Sequence, residues 1–281
     1  MTFSAPIQSL VQQLGIIAKE REIERYRRDW AVAVKLEQVS FTYGEKSEDT
    51  AVLRDMNMHV PRGEFVSLLG KSGTGKSTVF KLIAGLIQPS NGQVLVEGEP
   101  CEAGRVGYMP QKDLLLPWRT VLGNAMLACE LSGGDRKLAK SRALEWMARI
   151  GLEGCADAYP HELSGGMRQR AAFLRTMMTD KDVLLLDEPF GALDALTKRE
   201  MHLWLLSFWE QMQRTVLFIT HDLEEAVLLS DRVFVLQANG AGQPQQLRID
   251  LPRPRKPELV HTIQMLDYRK RLERMIYAQH D

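Results

Sequence analysis

A glycine-rich segment, residues 70–77 (GKSGTGKS), constrains the fold of this chain more than any other feature of its sequence. It matches the pattern G-x-x-x-x-G-K-[ST], in which a loop of backbone N–H groups surrounds a phosphate. The preceding residues, Phe65–Leu69, form a short apolar run that is typical of a buried strand. The following residues, Lys76–Leu86, carry apolar side chains at helical spacing. A strand, a glycine turn and a helix in this order aim the positive end of the helix dipole at one point, which predicts binding of a nucleoside triphosphate.

Two side chains of this loop have expected roles of their own. Lys76 is expected to reach the β- and γ-phosphates, and the Ser77 hydroxyl is expected to ligate Mg²⁺. The glycines permit backbone angles that a Cβ atom disfavours, and they let a phosphate approach the backbone closely.

A second motif, Val183–Asp187 followed by Glu188, reads as a buried strand that ends in two carboxylates. A continuous apolar run predicts a strand covered on both faces, and ligands of open α/β sheets bind at the carboxyl ends of such strands. Asp187 is therefore expected to hold Mg²⁺, and Glu188 is expected to orient and deprotonate a water molecule that attacks the γ-phosphate. The adjacent carboxylates predict hydrolysis of the nucleotide rather than its storage.

Composition limits the size of the core, the partners and the cellular compartment expected for this protein. The 281 residues can bury one large core or two modest ones, and the formal net charge of zero provides no general attraction to nucleic acid. No apolar run approaches the roughly 18 residues needed to span a bilayer, and the first residues lack the features of a secretory signal. The three widely spaced cysteines fit reduced thiols. We therefore expect an intracellular protein that reaches a membrane only through a partner.

The chain divides into three expected regions. Residues 1–32 form an N-terminal helical extension, which is either a solvated extension or a docking helix. Residues 33–240 form the nucleotide-binding domain, in which short strands give way to a mostly helical part at about 112–178 and then to alternating strands and helices. Residues 241–281 form a proline-rich tail that ends in a helix, and a solvated face explains its surplus of basic residues as well as a partner does.

The segment Leu163–Arg170 (LSGGMRQR) resembles the signature motif of ABC-type ATPases. Ser164 is a good helix N-cap, and the two glycines expose backbone N–H groups, so this is a second anion-binding helix start in the same chain. Further family elements follow the expected order, and they are Tyr43 in FTYG, Gln111 in YMPQKD, Asp194 in GALDAL and His221 in FITHD.

This resemblance covers roughly Val34–Gln237 and implies an α/β fold, the ABC-type nucleotide-binding domain. Such a domain has a RecA-like P-loop core, an antiparallel β subdomain and a helical subdomain. The implied nucleotide-binding residues are Tyr43, which would stack on adenine, and Gly70, Lys71, Ser72, Gly73, Thr74, Gly75, Lys76, Ser77 and Thr78. The implied catalytic residues are Glu188, His221 and Lys76.

The resemblance also implies cofactors and sites shared between subunits. ATP and Mg²⁺ are the expected cofactors, with Ser77, Gln111 and Asp187 as the magnesium site. Because one chain has one phosphate loop and one signature, two copies would sandwich ATP. Each copy would then offer its signature residues to the other, and these are Ser164, Gly165, Gly166 and Gln169. Asp194 would cross to the partner subunit, and Gln111 would couple the site to the helical subdomain.

Three shorter segments resemble one group within the family: LPWR at residues 116–119, GALDALTK at 191–198 and RPR at 253–255. They are similar to ATPase subunits of importers for nitrate, taurine and other sulfonates, and of related importers for pyrimidine precursors of thiamine. The implied function is ATP hydrolysis that powers import of a sulfonate, taurine or nitrate anion, with a hydroxymethylpyrimidine as the alternative.

The implied partners are a second copy of the chain, transmembrane permease subunits and, indirectly, a solute-binding protein, but no nucleic acid. The implied location is peripheral, at the cytoplasmic face of the inner membrane. Three competing hypotheses are an exporter ATPase, a soluble ABC protein that acts on ribosomes or DNA ends, and a catalytically silent regulatory subunit. The last is disfavoured because Lys76, Asp187 and Glu188 are all present.

Overall fold

The computed structural model describes residues 32–44, 51–191, 193–237 and 242–277. Of the expected N-terminal extension, only Val32 is described, and it belongs to the first strand. The rest of the predicted helical extension lies outside the described residues.

The described chain alternates strands and helices in the predicted order. The strands are β1 (Val32–Phe41), β2 (Leu53–Pro61), β3 (Phe65–Leu69), β4 (Asn91–Val96), β5 (Glu99–Pro100), β6 (Gly107–Met109), β7 (Val183–Asp187), β8 (Thr215–Ile219), β9 (Arg232–Val235) and β10 (Gln245–Arg248). The helices are α1 (Lys76–Ile83), α2 (Val121–Ala125), α3 (Leu127–Ser132), α4 (Arg136–Arg149), α5 (Gly165–Met177), α6 (Ala195–Met212), α7 (Leu223–Leu229) and α8 (Ile263–Tyr277). Short 3₁₀ helices occur at Pro160–Glu162 and Pro257–His261.

A four-stranded antiparallel sheet has the strand order β2-β1-β4-β5. In its central strand, Val34 and Leu36 are buried, whereas Lys35 between them is exposed. This alternation places one apolar face on the protein interior, as the sequence pattern predicts.

A six-stranded sheet has the order β10-β9-β3-β8-β7-β6, and β9 to β6 run parallel. The edge strand β10 pairs antiparallel with β9 and was not anticipated, because its sequence QQLR has no apolar period. The parallel order brings the carboxyl ends of β3, β7 and β8 to the same edge, where the two nucleotide motifs meet.

Two hydrophobic cores lie on the two faces of the parallel sheet. Phe65 and Leu69 of β3 belong to the core formed with helices α2 and α4 to α8, whereas Val66 and Leu68 belong to the core formed with α1 and the antiparallel sheet. Both faces of this strand are therefore covered, which explains why its sequence is continuously apolar.

The helix after the phosphate loop is shorter than predicted. It ends at Ile83 rather than at Leu86, because Gly85 adopts a left-handed conformation with φ of +68°. A Cβ atom at Gly85 would lie 2.5 Å from the carbonyl carbon of Glu102, so only glycine fits there. Leu86 is 56% exposed, and its apolar spacing in the sequence was misleading.

The basic tail is not a uniformly solvated face, which corrects one of the two explanations given for its charge surplus. Arg255 is 4% exposed and donates to the carbonyl oxygens of Val227, Leu228 and Ser230 at the end of α7. Arg253 pairs with Asp231 at 2.8 Å. Cationic groups at a helix C-terminus satisfy its free carbonyls and oppose its negative dipole end, so these arginines fasten the tail to the core.

Candidate functional site

The phosphate loop joins β3 to α1 and has the backbone that its glycines allow. Gly73 and Gly75 have φ values of +82° and +94°, and Gly75 occupies the N-cap position of α1. A Cβ atom on Gly70 would lie 2.7 Å from the Thr74 hydroxyl, so the loop could not close as tightly with a larger residue.

The Lys76 ammonium lies over this loop. Its Nζ atom donates to the carbonyl oxygens of Gly70 at 2.8 Å and of Lys71 at 2.9 Å. Burial lowers the pKa of Lys76, while the carboxylates of Glu188 and Asp187 oppose that shift. A partly desolvated cation beside a loop of N–H groups is suited to bind an anionic phosphate.

Asp187 ends β7 beside the phosphate loop and is 4% exposed. Burial raises the pKa of its carboxyl, and a hydrogen bond from the Ser77 hydroxyl partly offsets that rise. The hydroxyl and the carboxylate are thus adjacent, and both are the hard oxygen ligands that Mg²⁺ prefers. This donor set fits the expected magnesium site.

Glu188, the next residue, is the point where several segments meet. Its φ of +48° lies in the left-handed region, which is uncommon for a residue with a side chain and often marks a functional position. The Gln111 amide donates to its Oε2 atom at 3.0 Å, and Nδ1 of His221 lies 3.7 Å from its Oε1 atom. The structure therefore brings together Gln111, Glu188 and His221 from three distant parts of the sequence.

Tyr43 lies beside the phosphate-loop helix. It follows β1 by two residues rather than standing in the strand, and it is 47% exposed. Its hydroxyl is 3.2 Å from the Thr78 hydroxyl, and its ring packs edge-on against Phe41. An aromatic ring that is held in place yet accessible beside the loop fits the predicted role of stacking on adenine.

The signature segment opens helix α5. The Ser164 hydroxyl accepts a hydrogen bond from the backbone N–H of Met167, so this serine caps the helix as predicted. Ser164 and Gly165 are exposed at this helix start. Gln169 differs, since it is buried and its amide donates to the carbonyl oxygen of Glu188 in the same chain at 3.3 Å.

Known proteins resemble this chain over most of its length. The family described as ABC transporter matches residues 53–191. The formylaminopyrimidine import ATP-binding protein ThiZ of Halalkalibacterium halodurans is 51% identical over 199 residues, which are 71% of this chain and 77% of that protein. The aliphatic sulfonates import ATP-binding protein SsuB 1 of Rhodococcus jostii is 48% identical over 212 residues, which are 75% of this chain and 83% of that protein. The chain belongs to the ATP-binding subunits of ABC transporters.

A solved structure supports the fold of this ABC subunit. It is a dimeric post-hydrolysis state of the ATP-binding cassette MJ0796 bound to ADP and Pi, with a TM-score of 0.70 and 29% identity over 78% of this chain and 100% of that chain. The predicted fold class and the assignment as an ABC transporter ATPase are thereby confirmed. The ABC subunit is a nucleotide-binding cassette of a kind that forms dimers.

Asp194 stands at the start of α6 in the ABC subunit. Its carboxylate accepts hydrogen bonds from the backbone N–H groups of Leu196 and Thr197, and it is exposed. These bonds within the chain give it a structural role as a helix cap. Its exposure leaves the predicted contact with a partner subunit sterically open.

Sequence reasoning missed two arginines that hold the segment after Gln111. Arg175 donates to the carbonyl oxygens of Leu114 at 2.6 Å and Asp113 at 2.8 Å, and Arg168 donates to the Asp113 carboxylate at 3.3 Å. Both arginines lie on α5, seven residues apart, and therefore on one face of the helix. The spacing of the two arginines is visible in the sequence of the ABC subunit, but their contacts with Asp113 and Leu114 are not.

Proposed function

We propose that two copies of this chain bind ATP and Mg²⁺ between them, hydrolyse the ATP and thereby power the import of a small solute. The observation that carries the proposal is the convergence of Gln111 and His221 on Glu188, next to the loop that holds Lys76. These groups would surround the terminal phosphate of a nucleotide bound at the phosphate loop.

The expected chemistry follows from the position of each side chain. Glu188 accepts a proton from a water molecule, the water oxygen bonds to the γ-phosphorus, and the bond to the β–γ bridging oxygen breaks. Lys76 and His221 stabilise the charge on the phosphate oxygens. Magnesium, held by Ser77 and Asp187, would neutralise charge on the β- and γ-phosphates.

The active site needs a second copy of the chain, since the signature Ser164 lies at an exposed helix start. The γ-phosphate would bridge Lys76 of one copy and the Ser164–Gly166 segment of the other. ATP would then favour the closed dimer, and hydrolysis would let it open, because a ligand shifts an equilibrium toward the state it binds better.

The solute is proposed from the named relatives and not from this chain's own site. ThiZ is named for formylaminopyrimidine import and SsuB 1 for aliphatic sulfonate import, at 51% and 48% identity. We propose formylaminopyrimidine or a related pyrimidine as the first candidate and an aliphatic sulfonate as the second. Placing the pyrimidine before the sulfonate reverses the order that the sequence motifs had suggested. The reason is that the pyrimidine importer subunit is more similar to this chain, at 51% identity against 48%.

The proposed partners are transmembrane permease subunits and, through them, a solute-binding protein. Within the residues that the structure describes, no helix is both long and apolar enough to cross a bilayer. Because the named relatives are import ATP-binding proteins, we propose attachment to a permease at the cytoplasmic face of the inner membrane. The helical segment after Gln111 would carry motion between the site and the permease.

The variant Glu188→Gln tests the proposed catalysis. We expect ATP binding to persist while ATP turnover falls about 100-fold or more, because the water loses its base but the phosphate contacts remain. The variant should also accumulate as an ATP-bound dimer, measured by size-exclusion chromatography with light scattering. Near-normal turnover would contradict the assignment of Glu188.

A second substitution provides the control for this experiment. Adding Ser164→Arg to Glu188→Gln should abolish the ATP-dependent dimer but leave the ATP affinity of the monomer largely intact, because Ser164 serves the opposite subunit. A permease recovered with tagged Glu188→Gln from solubilised membranes can then be tested for uptake of each candidate solute. Recovery of soluble partners alone would contradict the importer proposal but not the ATPase assignment.

A further inference from the structure

An ionic cluster around the buried carboxylate of Glu225 lies behind His221, and no sequence motif assigns it a role. We define the Glu225 cluster as Lys198, His202, Thr220, Asp222 and Glu225. The Glu225 side chain is 5% exposed and accepts hydrogen bonds from Lys198 Nζ at 2.7 Å, His202 Nε2 at 2.9 Å and the Thr220 hydroxyl. A buried carboxylate with three donors is costly to assemble, and removing one partner is strongly unfavourable.

The cluster holds the backbone on both sides of His221. The Thr220 hydroxyl accepts a hydrogen bond from the backbone N–H of Asp222 at 3.0 Å. The Asp222 carboxylate accepts from Lys198 Nζ at 3.0 Å, and it also caps α7 through the N–H of Glu224 at 2.8 Å. The residue before His221 and the residue after it are thus both fixed, while the His221 side chain itself is 69% exposed.

The cluster also ties His221 to two other segments of the site. Lys198 and His202 lie one turn apart on α6, the helix that Asp194 caps. The His202 ring packs edge-on against Phe190, with 5.2 Å between ring centroids, and Phe190 follows Glu188 by two residues. One cluster therefore connects the segments that carry Glu188, Asp194 and His221.

The charged groups of the cluster stabilise one another in their ionised forms. Burial would raise the pKa of Glu225, but hydrogen bonds from His202, Lys198 and Thr220 outweigh it and hold the pKa below its ordinary value. Burial likewise opposes the Lys198 charge, yet Glu225 and Asp222 raise the pKa of Lys198 above its ordinary value. The lysine is therefore ionised between two carboxylates, and neither helix can shift without disturbing it.

We propose that Lys198 and Glu225 are positioning residues, which set the distance between His221 and Glu188 and link that distance to the helix that begins at Asp194. The inference rests on the proposed function, in which Glu188 and His221 act on the γ-phosphate. A partner subunit that contacts Asp194 would then influence His221 through α6 and Lys198.

The test compares two variants of the cluster with two neighbouring controls. Lys198→Met and Glu225→Gln should each lower the kcat for ATP about 10-fold or more, because small displacements of catalytic groups are costly. The KM for ATP should change less than about twofold, because the phosphate loop and Tyr43 are untouched. Arg199→Met alters an exposed charge beside the cluster, and Glu224→Gln alters a half-buried one that pairs with Arg269 outside it. Both variants should leave the two constants near those of the wild type.

A second readout is independent of turnover. In the full chain labelled with ¹³C-histidine, the His221 NMR signal, assigned with His221→Asn, should move in Lys198→Met and return toward its wild-type position in Lys198→Arg. The arginine keeps a cation between Asp222 and Glu225, so it should also restore most of the kcat.

The outcomes separate the two proposals. An unchanged kcat with an unmoved His221 signal would overturn the positioning role. A fall in kcat that parallels the loss of thermal stability in both Lys198→Met and Lys198→Arg would also overturn it, because the cluster would then only support the fold. If the wild type hydrolysed no ATP, or if Glu188→Gln hydrolysed ATP at the same rate, the proposed function would fail. The His221 signal would still report on the cluster in that case.

Discussion

Asp187 shows how one residue can trade stability for ligand binding. It is a carboxylate at a buried strand end, with a Ser77 hydroxyl as a hydrogen-bond donor and Lys76 and Lys81 as the cations that favour its charge. Burial dominates these contacts, so its pKa is raised and its ionised form is unfavourable in the folded chain. A divalent cation would remove that cost, which is why such a residue suits a metal site.

This argument predicts the pH dependence of Asp187→Asn. Because the folded pKa is raised, the folded wild type binds the proton more tightly than the unfolded chain does, and wild-type stability is lost as the pH rises through the folded pKa. The ligand-free variant should therefore melt at a higher temperature than the wild type at neutral pH. The difference should shrink as the pH falls toward the ordinary range of an aspartate, as measured by calorimetry.

The exposed neighbour Asp182 provides the control for that measurement, since Asp182→Asn makes the same chemical change outside the site. A stability difference for Asp187→Asn that is constant across pH would contradict the explanation. In the presence of Mg²⁺ and nucleotide the order should reverse, because the variant lacks the carboxylate that binds the ion.

Helix α5 carries more of the site than its signature motif alone. Its first residues expose the Ser164 cap, Gln169 contacts Glu188, and Arg175 holds the two carbonyl oxygens at Asp113 and Leu114. Leu114 has a φ of +45°, a strained value that these charged hydrogen bonds hold in place. The helix therefore links the signature face to the segment after Gln111.

Arg175→Met should loosen that segment without unfolding the chain. Hydrogen bonds to a charged group contribute about 1.5–3 kcal/mol each, so losing two should speed amide hydrogen exchange at residues 113–116 about 10-fold or more. Exchange in β7 should stay unchanged, as should both regions in the exposed control Lys140→Met. Equal exchange at residues 113–116 in wild type and Arg175→Met would show that the arginine does not hold the loop.

The elements that sequence could predict are those whose pattern is set by local burial. Phe65–Leu69 and Val183–Asp187 were predicted with their observed bounds, because a short and nearly continuous apolar run fits a strand covered on both faces. The edge strand Gln245–Arg248 was missed, because its exposed side chains carry no period and only its pairing with β9 defines it.

Site residues could likewise be predicted where a local motif marks them, but not where only tertiary contacts define them. The phosphate loop, Asp187 and Ser164 were predicted from local motifs, and the structure places them at a loop, a strand end and a helix cap as expected. The Glu225 cluster could not be predicted, because its members come from two helices and a strand end and meet only in three dimensions. Gln169 was assigned to the facing subunit for the same reason, since its contact with Glu188 is invisible in sequence.

At the scale of the whole molecule, the tail beyond β10 packs against the C-terminal end of α7. The Arg255 guanidinium donates to three carbonyl oxygens at the helix end and to that of Ile249. Burial lowers the pKa of Arg255 to about 10, with the neighbouring Arg253 as a further cause, so the group remains charged at neutral pH. Arg253 adds a contact with the Trp209 ring, 4.0 Å from its centroid.

Arg255→Met should therefore destabilise the whole chain. Four buried carbonyl oxygens lose their donor, and we expect a fall of about 2 kcal/mol or more in the free energy of unfolding, measured by urea titration. The adjacent and exposed Lys256→Met should change it by less than about 0.5 kcal/mol. Equal stabilities for the two variants would show that the tail contributes little to folding.

The parallel sheet that separates the two cores has a consequence for how this sequence can diverge. Leu184 and Leu185 are neighbours in β7, yet they belong to different cores. Substitutions at the two positions should drift almost independently over generations, since distant or unconnected sites combine additively. Compensating changes for Leu184 are to be sought among the helices, and those for Leu185 in the antiparallel sheet. Adjacency along the strand thus says little about which residues must be inherited together.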